Sequence, residues 1–345
     1  MDFEVLESLS NADAIASHEN EVRQIIKEQL RMYADTFEYD GLGSLIVTKR
    51  SKNENSPTIL FAAHMDEVGY MIRSITDIGM AYLTKVGGVE RRSEAMQIVR
   101  ATTETGEKIE GILNIGTADD ERQAYADFGF ESKAEFVAAG LKIGDIVCFA
   151  SNYRQLKAAE VVCGKAFDDR VGCYSLMQAM RALENVELDV NVVAAFTSSE
   201  EVGTRGGRLV ASKIRPDLFF AVDVAKHPEL DRGFKNHRKL GKGPMLEFYD
   251  KTMVPNPKLL RFICDLATKK GIDYQRDMFK GGGTDAGTAH LENNGIIAAV
   301  LGLPLRYCHD SYSLANKNDL QLMTKLIAEI AKNITKEKIA EFYYY

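Results

Sequence analysis

The sequence contains no tryptophan, and no apolar run approaches the roughly 18 residues that a membrane-spanning helix needs. Without tryptophan the best platform for stacking a sugar ring is missing, which counts against carbohydrate hydrolysis. No stretch of lysine and arginine is dense enough to track a phosphate backbone. With a formal net charge of −7, nucleic acid is not an expected partner, and neither is a membrane. Cysteine is sparse: Cys148, Cys163, Cys173, Cys264 and Cys308 are odd in number, scattered, and form no CxxC pair. They suit buried free thiols in a reducing cytoplasm better than a disulfide framework or a thiolate zinc site. The first residues, "MDFEVLESLSNADAIASHEN", lack the basic flank and apolar centre of a secretion signal, so a cytoplasmic location is expected.

What is present is an ordinary soluble composition, 45% hydrophobic and 27% charged over 345 residues, too long for one small core. Residues from about Asn11 to Tyr33 have helical spacing, with Ile15, Val22, Ile25, Ile26 and Leu30 on one face. "TILFAAH" then reads as a buried strand. From about Tyr70 to Val162 the texture changes to short alternating or β-branched segments separated by Gly, Asp and Thr, interrupted by one helix over "ESKAEFVAAGL". After "CGKAFDD" strands and helices alternate to the end. The expected fold is a layered α/β/α domain, residues 1–69 and 163–345, with a small barrel-like β-rich domain at 70–162 inserted into it.

Polar residues stand at the ends of the apolar strands, where open α/β sheets place their sites. "FAAHMDEVG" supplies His64 and Asp66, "GKAFDDRVG" Asp168 and Asp169, and "FTSSEEVG" Glu200 and Glu201. "FFAVDVA" supplies Asp223 and "RYCHDS" His309. Each has a bland reading: a satisfied imidazole, a helix cap, a solvated turn. Asp223, flanked by Phe219, Phe220, Val222 and Val224, resists it, because an unpaired charge there is costly. Jointly the bland reading needs five strand ends to carry acid or imidazole by accident. Two dications would set four positive charges against the three carboxylates Asp168, Glu201 and Asp223, and a bridging hydroxide would balance the rest. Imidazole and carboxylate without thiolate suit zinc, cobalt or manganese. One of the adjacent glutamates would then hold a metal while its neighbour serves as general base.

The motifs "HMDEVG", "AFDDRVG", "SSEEVGTRGG", "AVD" and "GGGTDAGTAH", in that order, closely resemble the glutamyl-aminopeptidase and TET-aminopeptidase family of dinuclear metallopeptidases, over nearly the whole chain. The resemblance implies a metal-dependent aminopeptidase that hydrolyses N-terminal residues from peptides through a bridging hydroxide, with two divalent metal ions per subunit. His64 and Asp223 would bind one ion, Glu201 and His309 the other, and Asp168 both. Glu200 would be the general base, and Asp66 would orient the His64 ring. The resemblance also implies a cis peptide at Asp168–Asp169 and a homo-oligomer of dimers building a dodecamer, with the inserted domain serving assembly and substrate access. The surroundings of His309, "HDSYSLAN", and the absence of Trp after "GGVE" depart from common family patterns. His290 reads as a helix residue near the site. Gly281 to Gly283 would let backbone approach substrate. An acidic first residue fits the glutamyl branch, with Arg91, Arg92, Lys280 or Arg306 to answer it, and a neutral preference stays open. A deacylase or carboxypeptidase on the same scaffold, and a non-catalytic assembly protein that kept the fold, are the competing readings. The adjacency of Glu200 and Glu201 speaks against a glycosidase.

Overall fold

Four apolar runs set the centre of the molecule. Asn191–Thr197, Thr58–His64, Leu218–His227 and Ile297–Arg306 lie side by side as parallel strands, in that order. The computed structural model describes residues 2–116, 123–158, 160–227, 238–279 and 281–344, except for the side chain of His227. The four strands are the middle of an 11-stranded mixed sheet. Leu45–Lys49 and Thr36–Tyr39 extend it antiparallel on one side. Ser313–Asn316, Val161–Gly164 and Arg154–Gln155 extend it on the other. Two short strands, Met245–Glu247 and Gln275–Asp277, branch from Ile297–Arg306.

Side chains alternate across this sheet, so each strand serves two cores. Ile59, Phe61, Phe220, Val222, Ala299 and Leu301 face a large core beneath the helices Glu4–Asn11, Asn20–Leu30, Phe167–Ala182, Pro257–Lys269 and Lys317–Asn333. Leu60, Ala62, Phe219, Ala221, Ala298 and Val300 face a smaller one beneath Arg205–Ile214 and Asp285–Ala289. The helices carry ordinary start signals. Asn256 accepts from the N–H groups of Lys258 and Leu259 with Pro257 at the first turn, and Asn316 accepts from Asn318 N. No helix among the described residues is long and apolar enough to cross a membrane.

The region after His64 leaves this sheet. Gly69–Ile75, Met80–Val86, Ala124–Asp127, Lys108–Ile115, Gln97–Thr102 and Ile146–Phe149 close into a six-stranded barrel in that spatial order. Its interior holds Tyr70, Ile72, Leu83, Val99, Leu113, Val147 and Phe149. The helix Lys133–Ala138, capped by Ser132, plugs it with Phe136. The chain is back in the large sheet by Arg154.

The expected helix over Asn11 to Tyr33 is corrected: one helix ends at Asn11 and the next begins at Asn20. The intervening apolar residues are spent on tertiary contacts. Asp13 takes Arg100 of the barrel at 2.6 and 2.7 Å, and Ala14 N donates to Glu67. Glu67 in turn receives Lys165 at 2.6 Å and Arg170 at 3.1 Å, all three charges buried. Arg170 also donates to the carbonyls of Leu9, Ala12 and Met65. This network ties the N-terminal segment, the barrel and the start of the Phe167–Ala182 helix together.

Candidate metal centre and active site

His64 and Asp223 occupy the positions that follow Leu60 and Ala62, and Phe219 and Ala221, on the smaller-core face of the sheet. The alternation that buries apolar groups lower down presents a ligand at the top. Around them the structure gathers Asp168, Glu200, Glu201, Asp223, His64 and His309 as walls of one cleft of about 400 Å³. Phe279, Gly281 to Gly283, Thr284, Val224, Lys226 and Cys308 complete it.

Asp168 is the hub. Its Oδ1 is 3.0 Å from His64 Nε2 and its Oδ2 is 3.2 Å from His309 Nε2. Glu201 Oε2 also lies 3.2 Å from His309 Nε2, while Glu201 Oε1 is buried with no partner. The Asp168–Asp169 peptide is cis. Asp169 faces away from the cleft, accepting from the N–H groups of His64 and Gly172. A side chain on Gly172 would collide with that carboxylate.

Asp66 meets both the His64 ring and the paired glutamates. His64 Nδ1 contacts the main-chain carbonyl of Asp66 at 3.0 Å, and the carboxylate at 3.6 Å. The two carboxylate oxygens also accept the N–H groups of Glu200 and Glu201, at 3.0 and 3.1 Å. His309, at a left-handed φ of 61°, is set by the barrel: Nδ1 meets Gly88 O at 3.2 Å, and its own carbonyl accepts from Glu90 N.

The electrostatics describe a cluster short of positive charge. Burial disfavours ionised Asp168, but the two imidazoles outweigh it and hold its carboxyl well below the usual range. Burial and the Asp168 charge push Glu201 up to about 8. Burial, with Asp168 again repelling, pushes Asp223 up to about 7. Glu200 is raised well above the carboxylate range by burial, to which Asp223 and Glu201 add. Burial works against a charged His309, yet Asp168 and Glu201 raise it to about 10. These protons stand in for cations. His64, Asp168 and Glu201 offer donor atoms within 4.8 Å of one another, as do Asp168, Cys308 and His309. Cys308 donates its thiol to Asp168 Oδ2 at 2.8 Å, and burial beside that carboxylate raises it well above the usual thiol range. The sequence reading passed over it because no cysteine pairing pointed there.

His290 ends the helix Asp285–Ala289 and contacts Ala286 O, and it does not line the cleft. Arg91, Arg92 and Arg306 do not line it either, Arg92 being held by Asp310. Lys280 lies outside the described residues.

The family model for M42 glutamyl aminopeptidases matches residues 43–326. The chain belongs to that family. It is 33% identical to the glutamyl aminopeptidase of Lactococcus lactis, with 98% of each chain covered. The crystal structure of a TET aminopeptidase from a marine-sediment Thaumarchaeota archaeon superposes with a TM-score of 0.94 at 31% identity, covering 99% of each chain. The TET1 peptidase of Pyrococcus horikoshii, described as assembling into a tetrahedron or a large octahedral shell, gives a TM-score of 0.86 at 30% identity. There, 96% of this chain and 99% of that one are covered. The layered α/β core with its barrel is thus the fold of this M42 chain's relatives as well.

Proposed function

We propose that this M42 aminopeptidase removes N-terminal residues from peptides at the cleft around Asp168, using two divalent ions. The observation that carries the reading is the Asp168 carboxylate, which turns one oxygen to each of two imidazoles and so is built to serve two sites at once. The residues fit such a pair. Three carboxylates and two imidazoles converge, Glu201 Oε1 is an orphaned buried acceptor, and Lys226 at the rim is the cationic side chain among the described cleft residues. His64 and Asp223 would hold one ion, Glu201 and His309 the other, with Asp168 shared. A nitrogen and oxygen donor set suits zinc, cobalt or manganese.

When bound, the ions polarise the scissile carbonyl and bring the nucleophilic water into reach at neutral pH. Glu200 is the group free to move a proton: its Oε2 stands 4.0 Å from His64 Nε2, and its main chain is fixed by Asp66. It takes the proton from the attacking water and returns it to the leaving amine. Glu201, fixed by the same carboxylate, stays a ligand. Side-by-side glutamates are tolerable because one is neutralised by metal and the other cycles through its protonated form.

Residues 1–69 and 163–345 would form the peptidase domain, whose sheet also takes in Arg154–Gln155 and Val161–Val162. The barrel inserted within 70–162 would serve assembly into a homo-oligomer, dimers building a dodecamer, and so limit access to peptides. Ile98 and Ile112, paired on adjacent barrel strands, are both exposed, with Met96 beside them. That apolar outer face supports an interface. Five buried free thiols fit the cytoplasm.

The test is metal analysis together with aminoacyl reporters on the chelated and re-metallated protein. Glu200→Gln is expected to keep its metal and lose roughly 10²- to 10⁴-fold in turnover. Normal turnover by that variant would remove Glu200 as the base.

A further inference from the structure

His309 lies outside the helices and strands, on the loop between Ile297–Arg306 and Ser313–Asn316. Tyr307 and His309 both have a left-handed φ of 61° there, a conformation that residues with a Cβ rarely adopt unless their surroundings impose it. Glu201 is also on a loop, but the buried Asp66 carboxylate fixes its main chain. His309 needs a holder of its own.

Part of that holder is the main chain of the barrel, Gly88 O at the ring and Glu90 N at the His309 carbonyl. The other part is a set of side chains that grips both flanks of His309. Arg92 sends Nε to Asp310 Oδ1 at 2.7 Å and Nη2 to Oδ2, a fork that fixes the plane of the carboxylate as well as its position. Its guanidinium also lies over the Tyr307 ring, 5.5 Å from the centroid. Ser93 Oγ donates to Asp310 Oδ1 at 2.9 Å and accepts from Ser311 N at 3.0 Å. Asp310 and Ser93 are buried, although Arg92 is half-exposed. The turn that carries Arg92 and Ser93 is anchored in its turn. Lys85, on the barrel strand Met80–Val86, reaches Glu94 at 3.0 Å and Val89 O at 3.4 Å. A carboxylate next in sequence to a metal ligand is a competing donor unless something occupies it, and Arg92 occupies both oxygens of Asp310.

We propose that Arg92 and Asp310 are positioning residues for the ion that His309 and Glu201 would share with Asp168. Acting through the loop from Tyr307 to Ser311, the pair holds His309 Nε2 where the two carboxylates converge, 3.2 Å from an oxygen of each. This deepens the two-ion reading and rests on it. His64 and Asp223 project from the neighbouring strands Thr58–His64 and Leu218–His227, so the ion they would hold does not depend on this loop. Breaking the Arg92–Asp310 link should therefore touch one ion and spare the other. Arg92, considered from sequence as a partner for an acidic first residue, is spent on this link instead.

The experiment titrates cobalt(II) into the chelated full-length protein, followed by heat and visible absorption. It is run for the wild type, Arg92→Met, Arg92→Lys, Asp310→Asn and the Arg92→Met/Asp310→Asn double variant. The wild type is expected to take up two equivalents. In Arg92→Met and in Asp310→Asn one equivalent is expected to keep its affinity within threefold. The other is expected to weaken about 10- to 100-fold, the usual scale for losing a group that orients a metal ligand. Arg92→Lys, which keeps the charge but not the fork, is expected to fall between wild type and Arg92→Met. The double variant is expected to bind no more weakly than Arg92→Met, since both changes cut the same link. Should Arg92→Met not fold, Ser93→Ala, which cuts the tie to Ser311, is expected to weaken that same equivalent at least threefold. Wild-type binding of both equivalents by the folded variant, an equal loss at both, or additive losses in the double variant would overturn the assignment. A wild type that takes up fewer than two equivalents would instead overturn the two-ion reading beneath it.

Discussion

Asp66→Asn is the substitution that asks most directly whether the paired glutamates are held as the structure shows. The wild-type carboxylate accepts from Glu200 N at 3.0 Å and from Glu201 N at 3.1 Å, and it is fully buried. An asparagine of the same shape keeps one acceptor oxygen and turns an NH₂ group toward the other N–H. One charge-assisted bond, worth about 1.5–3 kcal/mol, is lost, and a main-chain donor is left facing a donor. If about 2–3 kcal/mol of this falls on the placement of Glu200 and Glu201 in the transition state, kcat/KM falls about 30- to 150-fold. The assay is steady-state cleavage of an alanyl reporter, alongside metal content by atomic spectroscopy and far-UV circular dichroism. The expected pattern is a folded protein with weakened metal retention and a lower kcat. A variant with full metal content and activity within twofold of wild type would refute the reasoning.

Two further outcomes follow from the charges. In the metal-free protein Glu201 keeps its proton to about pH 8, Asp223 to about 7 and His309 to about 10. Each must leave before a cation binds, so metal affinity is expected to rise with pH across this range. Binding should release protons, read by calorimetry in buffers of different ionisation enthalpy, and binding without proton release would contradict this. Arg170→Met removes the donor to the carbonyls of Leu9, Ala12 and Met65 and a partner of Glu67. It is expected to cost about 3–5 kcal/mol, because its neighbours are left buried and unpaired. Denaturant unfolding would show it, and a loss under 1 kcal/mol would mean that the network matters little.

Much of the site was legible because chemistry broke pattern. An aspartate inside "FFAVDVA" and a histidine closing "TILFAAH" stand out against apolar alternation, and both turn out to face one cleft. The boundary at Asn11 was not legible, because Ala12, Ala14 and Ile15 continue a helical rhythm. What ends the helix is distant in sequence: Arg100, Glu67 and Arg170 draw that segment out. Nothing near Lys165 or Arg170 in sequence shows that both are buried against Glu67, 98 and 103 residues away.

The carbonyl of Gly88 that meets His309 belongs to a loop between barrel strands, so the inserted module supplies part of the cleft's scaffold. A barrel grafted from a relative would have to deliver that oxygen to the same place within a few tenths of an ångström. The two halves of the molecule are therefore not interchangeable cassettes. A change that shifts the barrel loop is felt, through a single imidazole, at the cleft.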